Sequence, residues 1–278
     1  MCGIFGVIAK KDIDLNTSIL VKGLNILANA SERRGKDSSG ICIFNQKFNE
    51  IDVYKGPIPI TELMKNEHVN NGIANGFMES NNIYYAFGHA RLVTNGTQLN
   101  PNNNQPVIKE QIIGVHNGII VNVNDLWEKN PNMNRQYEID TEVLFGLIQE
   151  KYKNNDSYID GAVSSAINDV YGTVAVSFVI NNMNRFVLAT NNGSLYKIQL
   201  DNKLIFFASE KFILKQLEKK LQLSKLIGDY DIKQMKPGTG VIYNLVDLSF
   251  SNFSTNSSSF HHELDFISEP SNINTYNI

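Results

Sequence analysis

A cysteine at position 2, directly behind Met1 in MCGIFG, brings together groups that could do chemistry within a single residue. Once Met1 is removed, that residue carries a thiol and a free α-amine, with reference pKa values of about 8.5 and about 7.7–8.0. Nucleophile and base then lie side by side, a one-residue version of the usual nucleophile–base pair. The competing reading is a small apolar residue at a strand start, because free cysteines are often buried. Four further segments bear on the choice. RRGKDSSG (33–40) supplies Arg34, Gly35 and Asp37; in isolation it is a helix end and a turn. GHARLVTNG (88–96) places Arg91 behind a strand, where a long loop begins. GVHNGII (114–120) offers Asn117 and Gly118, although Asn-Gly after an apolar strand is first of all a hairpin signal. DTEV (140–143) puts Asp140 at a helix N-cap, where aspartate is preferred.

These side chains matter only if regular elements bring them together. The apolar run 4–9 predicts a buried strand. Leu20, Leu24, Leu27 and Ala28 fall on one face of a helix, and Gly35 lies past its end, where helices often stop. Strands are predicted at 40–45, 51–56, 82–92 and 111–120, with a loop rich in Asn, Gly and Pro before the last of them. Thr141 to Lys153 reads as a helix with Val143, Leu144, Leu147 and Ile148 on its apolar face, and a second helix covers 160–170. Four strands follow in quick succession over 173–210, then a helix at 210–222 and a strand at 240–245. Hairpin-length connections among these strands argue for an α+β layered domain over a parallel doubly wound sheet. From Ser251 the sequence turns polar, which predicts a tail ordered only where something holds it.

Composition narrows the classes. The chain has 278 residues, 42% hydrophobic and 19% charged, with a net charge of -3. That is enough apolar material for one large core or two modest ones. A pI near 6.0 lacks the basic excess of nucleic-acid binders. No window is long and apolar enough for a membrane span, and the N-terminus lacks a secretory pattern. Two cysteines, Cys2 and Cys42, cannot build a disulfide framework, so a cytoplasmic setting with free thiols is expected. His89 and His116 lack the spacing and companions of metal ligands; they and Cys42 read as strand residues, the imidazoles with satisfied nitrogens. No metal or cofactor is expected.

Taken in order, MCGIFGV, RGKDSSG, GHARLVTNG, VHNGII and DTEV resemble the glutaminase domain of class II glutamine amidotransferases, a branch of the N-terminal-nucleophile hydrolases. The glutaminase half of the glucosamine-6-phosphate synthases is most similar. FFASEKFIL (206–214) and MKPGTGVIY (235–243) extend the resemblance to about residue 245, while NNQPV (103–107) is closer to the asparagine-synthetase branch. The resemblance implies a four-layer αββα sandwich of two mainly antiparallel sheets over residues 2–250, followed by a polar tail at 251–278.

It also implies roles. Cys2 attacks the side-chain amide of L-glutamine. The Asn117 side chain and the Gly118 N–H stabilise the oxyanion. Arg91 clamps the substrate α-carboxylate, Asp140 pairs with the α-ammonium, and Leu92, Thr94 and Asn95 complete the pocket. Arg34, Gly35 and Asp37 support the nucleophile. Two positions depart from the most similar members, which have Trp where this chain has Leu92 and His where it has Asn95; glucosamine synthesis is therefore not implied. The sequence holds no GxxxxGK[ST] or SGGxDS-like phosphate loop, so the acceptor of the ammonia is expected on a separate synthetase subunit, with loop 92–107 as a lid. Homo-oligomerisation stays open. The alternatives are a non-catalytic binding module on the same fold and an amidohydrolase of another amino-acid amide.

Overall fold

The computed structural model describes residues 2–45, 49–79, 82–93, 96–154, 158–255 and 272–278. The strands, in chain order, are β1 (Gly3–Lys10), β2 (Ser38–Asn45), β3 (Glu50–Gly56), β4 (Ile83–Arg91), β5 (Val107–Lys109), β6 (Ile112–Ile120), β7 (Gly172–Ile180), β8 (Arg185–Thr190), β9 (Tyr196–Leu200), β10 (Leu204–Ala208), β11 (Lys233–Gln234), β12 (Thr239–Asn244), β13 (Phe250–Ser254) and β14 (Asn272–Asn277). The helices are α1 (Thr17–Ser31), α2 (Ile60–Leu63), α3 (Glu67–Glu79), α4 (Val123–Lys129), α5 (Asp140–Asn154), α6 (Ile159–Asp169), α7 (Lys211–Leu221) and α8 (Leu223–Ile227).

The strands form two sheets, ordered β11-β9-β10-β1-β4-β2-β3-β14 and β13-β12-β8-β7-β6-β5. All pairings are antiparallel except β14 beside β3. Because side chains alternate along a strand, each sheet has two apolar faces to bury. On the outside of the first sheet, Leu20, Leu24, Leu27 and Ala28 of α1 meet Phe5, Val7 and Phe206. On the outside of the second, Val143, Leu144, Leu147 and Ile148 of α5 meet Val174, Val176 and Phe178. Between the sheets, Ile4, Ile8, Tyr85 and Phe87 interlock with Ile113, Val115, Val179 and Phe186. The layers therefore run α-β-β-α, as the sequence led us to expect.

The inter-sheet layer sets how the two halves of the site meet. The Phe186 ring lies 5.3 Å from Phe87 and 5.6 Å from Phe207, centroid to centroid. Burying one such side chain contributes about 1.5–3 kcal/mol, against a net of about 0.5–1.5 kcal/mol for one hydrogen bond. Packing thus fixes the sheets, and polar contacts trim the site within that frame.

The stretch beyond 250, expected as a polar tail, supplies both β13 and β14. β13 pairs with β12, and β14 adds to β3 over Asn272–Asn277. What holds it is the open edge of a neighbouring strand, where unpaired backbone groups accept a further strand whatever its polarity. Residues 256–271, between these strands, lie outside the described residues. Among the described residues, no helix is long and apolar enough to cross a membrane, and no group of three His, Cys, Asp or Glu side chains could hold a metal ion.

Candidate active site

β1 lies inside the first sheet, paired with β10 on one side and β4 on the other. Its even-numbered residues Ile4 and Ile8 face the inter-sheet layer, so alternation turns Cys2 toward the same layer at its open end. β6 of the second sheet brings Asn117 there. The Cys2 backbone nitrogen donates to Asn117 Oδ1 at 2.9 Å, joining the two sheets at Cys2. Cys2 Sγ lies 3.6 Å from the Leu92 carbonyl oxygen. Burial pushes the Cys2 thiol above its ordinary pKa; the Leu92 backbone and the positive charges of the chain terminus, Arg91 and Arg34 pull the other way.

Arg34, Gly35 and Asp37 form one bracket around this thiol. Arg34 Nε donates to the Cys2 carbonyl at 3.3 Å, and the guanidinium is paired with Glu210. Gly35 has extended backbone, with φ -178°. It lies so close to the next segment that a Cβ would come within 2.1 Å of the Arg91 carbonyl carbon. Close approach, rather than helix termination, is what demands glycine there. Asp37 accepts the Val93 N–H at 2.7 Å, and its own N–H donates to the Arg91 carbonyl at 3.1 Å. Residues 34–37 thus clamp the backbone of 91–93, and with it the Leu92 carbonyl beside Sγ.

Arg91 ends β4 and is 4% exposed. Its guanidinium donates to Asn104 Oδ1 at 3.5 Å and to the Gly96 carbonyl at 3.3 Å. Asp140 opens α5. One carboxylate oxygen accepts the Ile120 N–H at 2.9 Å, and the other lies 3.9 Å from His116 Nδ1. The expected N-cap role gives way to this link between α5 and β6. Leu92 is 43% exposed beside the thiol. Thr94 and Asn95 lie outside the described residues, as does Met1.

The Asn117–Gly118 pair does not form a hairpin turn. It lies within β6, in register with Ala175 and Val174 of β7. The turn reading fails because the strand continues to Ile120 and bonds onward at Val121. Gly118 answers a steric demand: a Cβ would come within 1.8 Å of the Thr173 carbonyl oxygen. In an antiparallel ladder, alternate residues turn their N–H groups away from the partner strand. His116 N thus reaches Gln105 Oε1 at 2.6 Å, and Ile120 N reaches Asp140. The Gly118 N–H faces the same free edge, between those two.

The two strand histidines differ. His116 is satisfied, with Nε2 3.2 Å from the Thr173 carbonyl and Nδ1 3.4 Å from Thr141 Oγ1. His89 is fully buried, and neither ring nitrogen has a hydrogen-bond partner among the described residues. That corrects the expectation of satisfied nitrogens, although Arg91 and the His116 backbone lie close to the ring. Burial, helped by the charge of Arg91, pushes its pKa down to about 3, so the ring is neutral. Cys42 is fully buried in the same layer, and burial pushes its thiol well up.

Sequence reasoning missed Asn104 and Gln105. Both were read as part of an open loop, yet they are 0% and 6% exposed. The one available signal was the Gln-Pro pair in NNQPV, which marks a sharp local conformation.

We expect Arg91→Ala and Asp140→Ala chiefly to raise the KM for an α-amino-acid amide, by about tenfold or more. They would grip parts of the substrate that do not react, and such uniform binding shows in KM. Steady-state kinetics checks this; an unchanged KM in both variants would misplace the pocket.

Comparison with known proteins bears on the fold and the family. Residues 89–216 match the family model described as a glutamine amidotransferase domain. Glutamine--fructose-6-phosphate aminotransferase [isomerizing] of Clostridium perfringens is 32% identical over 213 residues, covering 76% of this chain and 32% of that protein. The same-named protein of Francisella tularensis is 32% identical over 196 residues, covering 70% and 29%. The chain thus spans about a third of the length of these relatives. Among solved structures, the glutamine phosphoribosylpyrophosphate amidotransferase of B. subtilis superposes with a TM-score of 0.64 at 20% identity, covering 93% of this chain and 50% of that one. At that identity the likeness speaks for the fold. The motif order, the family match and the shared sandwich agree, and the chain belongs to the class II glutamine amidotransferases, a family of N-terminal-nucleophile amidohydrolases.

Proposed function

We propose that residues 2–250, with β13 and β14 completing the two sheets, form a glutaminase domain, which hydrolyses the side-chain amide of L-glutamine through a Cys2 thioester and supplies the ammonia to an acceptor synthetase on a separate polypeptide. The observation that carries this reading is the 2.9 Å bond from Cys2 N to Asn117 Oδ1. It positions the nitrogen that becomes the α-amine, and it leaves the donor half of the same amide for a developing oxyanion.

The steps follow from these groups. The α-amine takes the thiol proton, and Sγ adds to the amide carbon. Negative charge moves to the carbonyl oxygen, where Asn117 Nδ2 and the Gly118 N–H meet it. The C–N bond breaks as the amine returns its proton to the departing ammonia, leaving a thioester. Water then adds with the same amine as base, the C–S bond breaks, and glutamate leaves. Arg91 would hold the α-carboxylate through two parallel bonds, and Asp140 the α-ammonium; an α-amino acid fits this pairing of charges.

The acceptor side has its own support. Ile119 and Val121 continue the alternation begun at Asn117, on the same side of the strand. They are 47% and 73% exposed, and Tyr171, bonded through its carbonyl to Val121 N, is 66% exposed. An apolar shelf beside the nucleophile suits a protein partner. Free ammonia protonates in neutral water and ceases to be a nucleophile, so hand-over within a closed complex is efficient.

Intact-mass measurement together with ammonia release from L-glutamine tests the reading. We expect active protein to lack Met1, and a synthetase encoded beside it to accelerate release. Full activity with Met1 quantitatively retained would remove the amine mechanism. Fast hydrolysis that no neighbouring protein alters would remove the separate partner.

A further inference from the structure

The segment Asn103–Pro106 is a buried wedge that touches every wall of the site. Ile4, His89, Gly40 and Lys55 lie in register across β1, β4, β2 and β3. Gly40 leaves a gap in that row, and the wedge fills it: a Cβ on Gly40 would come within 2.2 Å of the Gln105 carbonyl oxygen and 2.8 Å of Pro106 Cδ. Beside the gap, Lys55 Nζ donates to the carbonyls of Asn104 at 3.1 Å and Pro106 at 3.3 Å. Lys55 is 4% exposed, and burial pulls its pKa down to about 8. A buried ammonium is costly unless its hydrogens are used, and here they are used to hold the wedge.

From this seat the wedge reaches three ways. The Asn104 side chain contacts Arg91, at the end of the first sheet. The Gln105 side chain accepts the His116 N–H at 2.6 Å and donates to the His116 carbonyl at 3.1 Å, one residue before Asn117 on the second sheet. The same Gln105 amide donates to Thr141 Oγ1 at 3.2 Å, one residue after Asp140 on α5. The three groups assigned to the substrate, Arg91, Asn117 and Asp140, come from three different elements, and this wedge bonds to Arg91 itself and to His116 and Thr141, the chain neighbours of the other two.

We propose that Gln105 is a positioning residue that sets the spacing of Arg91, Asn117 and Asp140, and that Lys55 pins the wedge to which it belongs. The proposal rests on the glutamine reading above, and the test separates the two. Iodoacetamide reports on the Cys2 thiol alone. 6-Diazo-5-oxo-L-norleucine carries the α-carboxylate and α-ammonium of glutamine, and its labelling rate reports whether those groups are seated beside the thiol. In the full chain, Gln105→Leu and Lys55→Met are expected to lose about tenfold to a hundredfold in the analogue's labelling rate, the scale of a misplacement near 1 Å. Their iodoacetamide rates should stay close to wild type, and Lys55→Arg should restore analogue labelling. Thr141→Val, close to isosteric, removes the hydroxyl that accepts from Gln105 and lies 3.4 Å from His116 Nδ1, and decides the matter should Gln105→Leu fail to fold; it too should lose analogue labelling selectively. Wild-type analogue rates in Thr141→Val and Lys55→Met overturn the proposal. So does an equal loss with both reagents, which reports general loosening of the fold. If the analogue fails to label wild-type protein that iodoacetamide labels, the glutamine reading falls and this proposal with it.

Discussion

Cys2→Ala is expected to abolish glutamine hydrolysis, and Cys2→Ser to leave a trace. With alanine no covalent intermediate forms, and the loss should approach the ~10⁶-fold scale seen when a nucleophile is deleted from a nucleophile–base pair, about 8 kcal/mol of barrier. Serine keeps the shape but changes the acid–base match. The reference values of a thiol and an α-amine, about 8.5 and about 7.7–8.0, lie close enough for proton exchange, even with burial pushing the Cys2 thiol up, whereas an alkoxide is far harder to generate with the same base. Folding should be little affected, because the one hydrogen bond of the Cys2 side chain among the described residues is a long one, to the Leu92 carbonyl. The measurement is glutamate release over hours, with Tm as the control. Cys2→Ala that keeps even a hundredth of wild-type turnover would place the nucleophile elsewhere. Cys42 is an unsuitable substitute, since it is fully buried and its thiol is pushed well up.

Asn117→Ala should lower kcat by ~10²–10³, about 2.7–4 kcal/mol, with little change in KM, because the lost donor acts on charge that exists only in the transition state. Asn117→Asp is the sharper probe. It keeps an oxygen to accept from Cys2 N at the same place. It also puts a second acceptor, with a negative charge, where the oxyanion needs a donor. We expect it to lose at least as much as alanine does. If Asn117→Asp retained activity and Asn117→Ala lost it, the side chain would serve as an anchor for the amine and not as an oxyanion donor. Separate kcat and KM values for glutamine decide between these roles.

The regular elements were legible because their periodicity is loud. The i, i+4, i+7 pattern of Leu20, Leu24 and Leu27 could bury only one face, and α1 buries it. The site was legible for a different reason: motifs matched in order, where each alone is weak. Glycine identity was legible but its cause was not. Gly35 and Gly118 are required by backbone from residues 91–92 and 173, and nothing local in the sequence announces those neighbours. The Asn-rich loop shows the same limit more strongly. Asparagine and glutamine side chains satisfy water and buried backbone equally well. Composition therefore reads Asn103–Gln105 as solvated, while their partners stand at Thr97, Glu138, His116 and Thr141. The polar stretch after 250 misled in a related way, since the edge it joins supplies backbone bonds that do not depend on side-chain polarity.

The seat of Cys2 also sets a clock. β1 is the first of the described strands, but one of its two partners, β10, comes far later: Ile4 N bonds to Ser209 Oγ across 205 residues of sequence. At ribosomal speeds of about 5–20 residues per second, that interval lasts roughly 10–40 s. Throughout it the start of the chain cannot take its final place between β10 and β4, and it remains open to an aminopeptidase. Exposure of the α-amine can therefore be finished before the sandwich closes over it. Chain topology would then set when that amine is withdrawn from solvent.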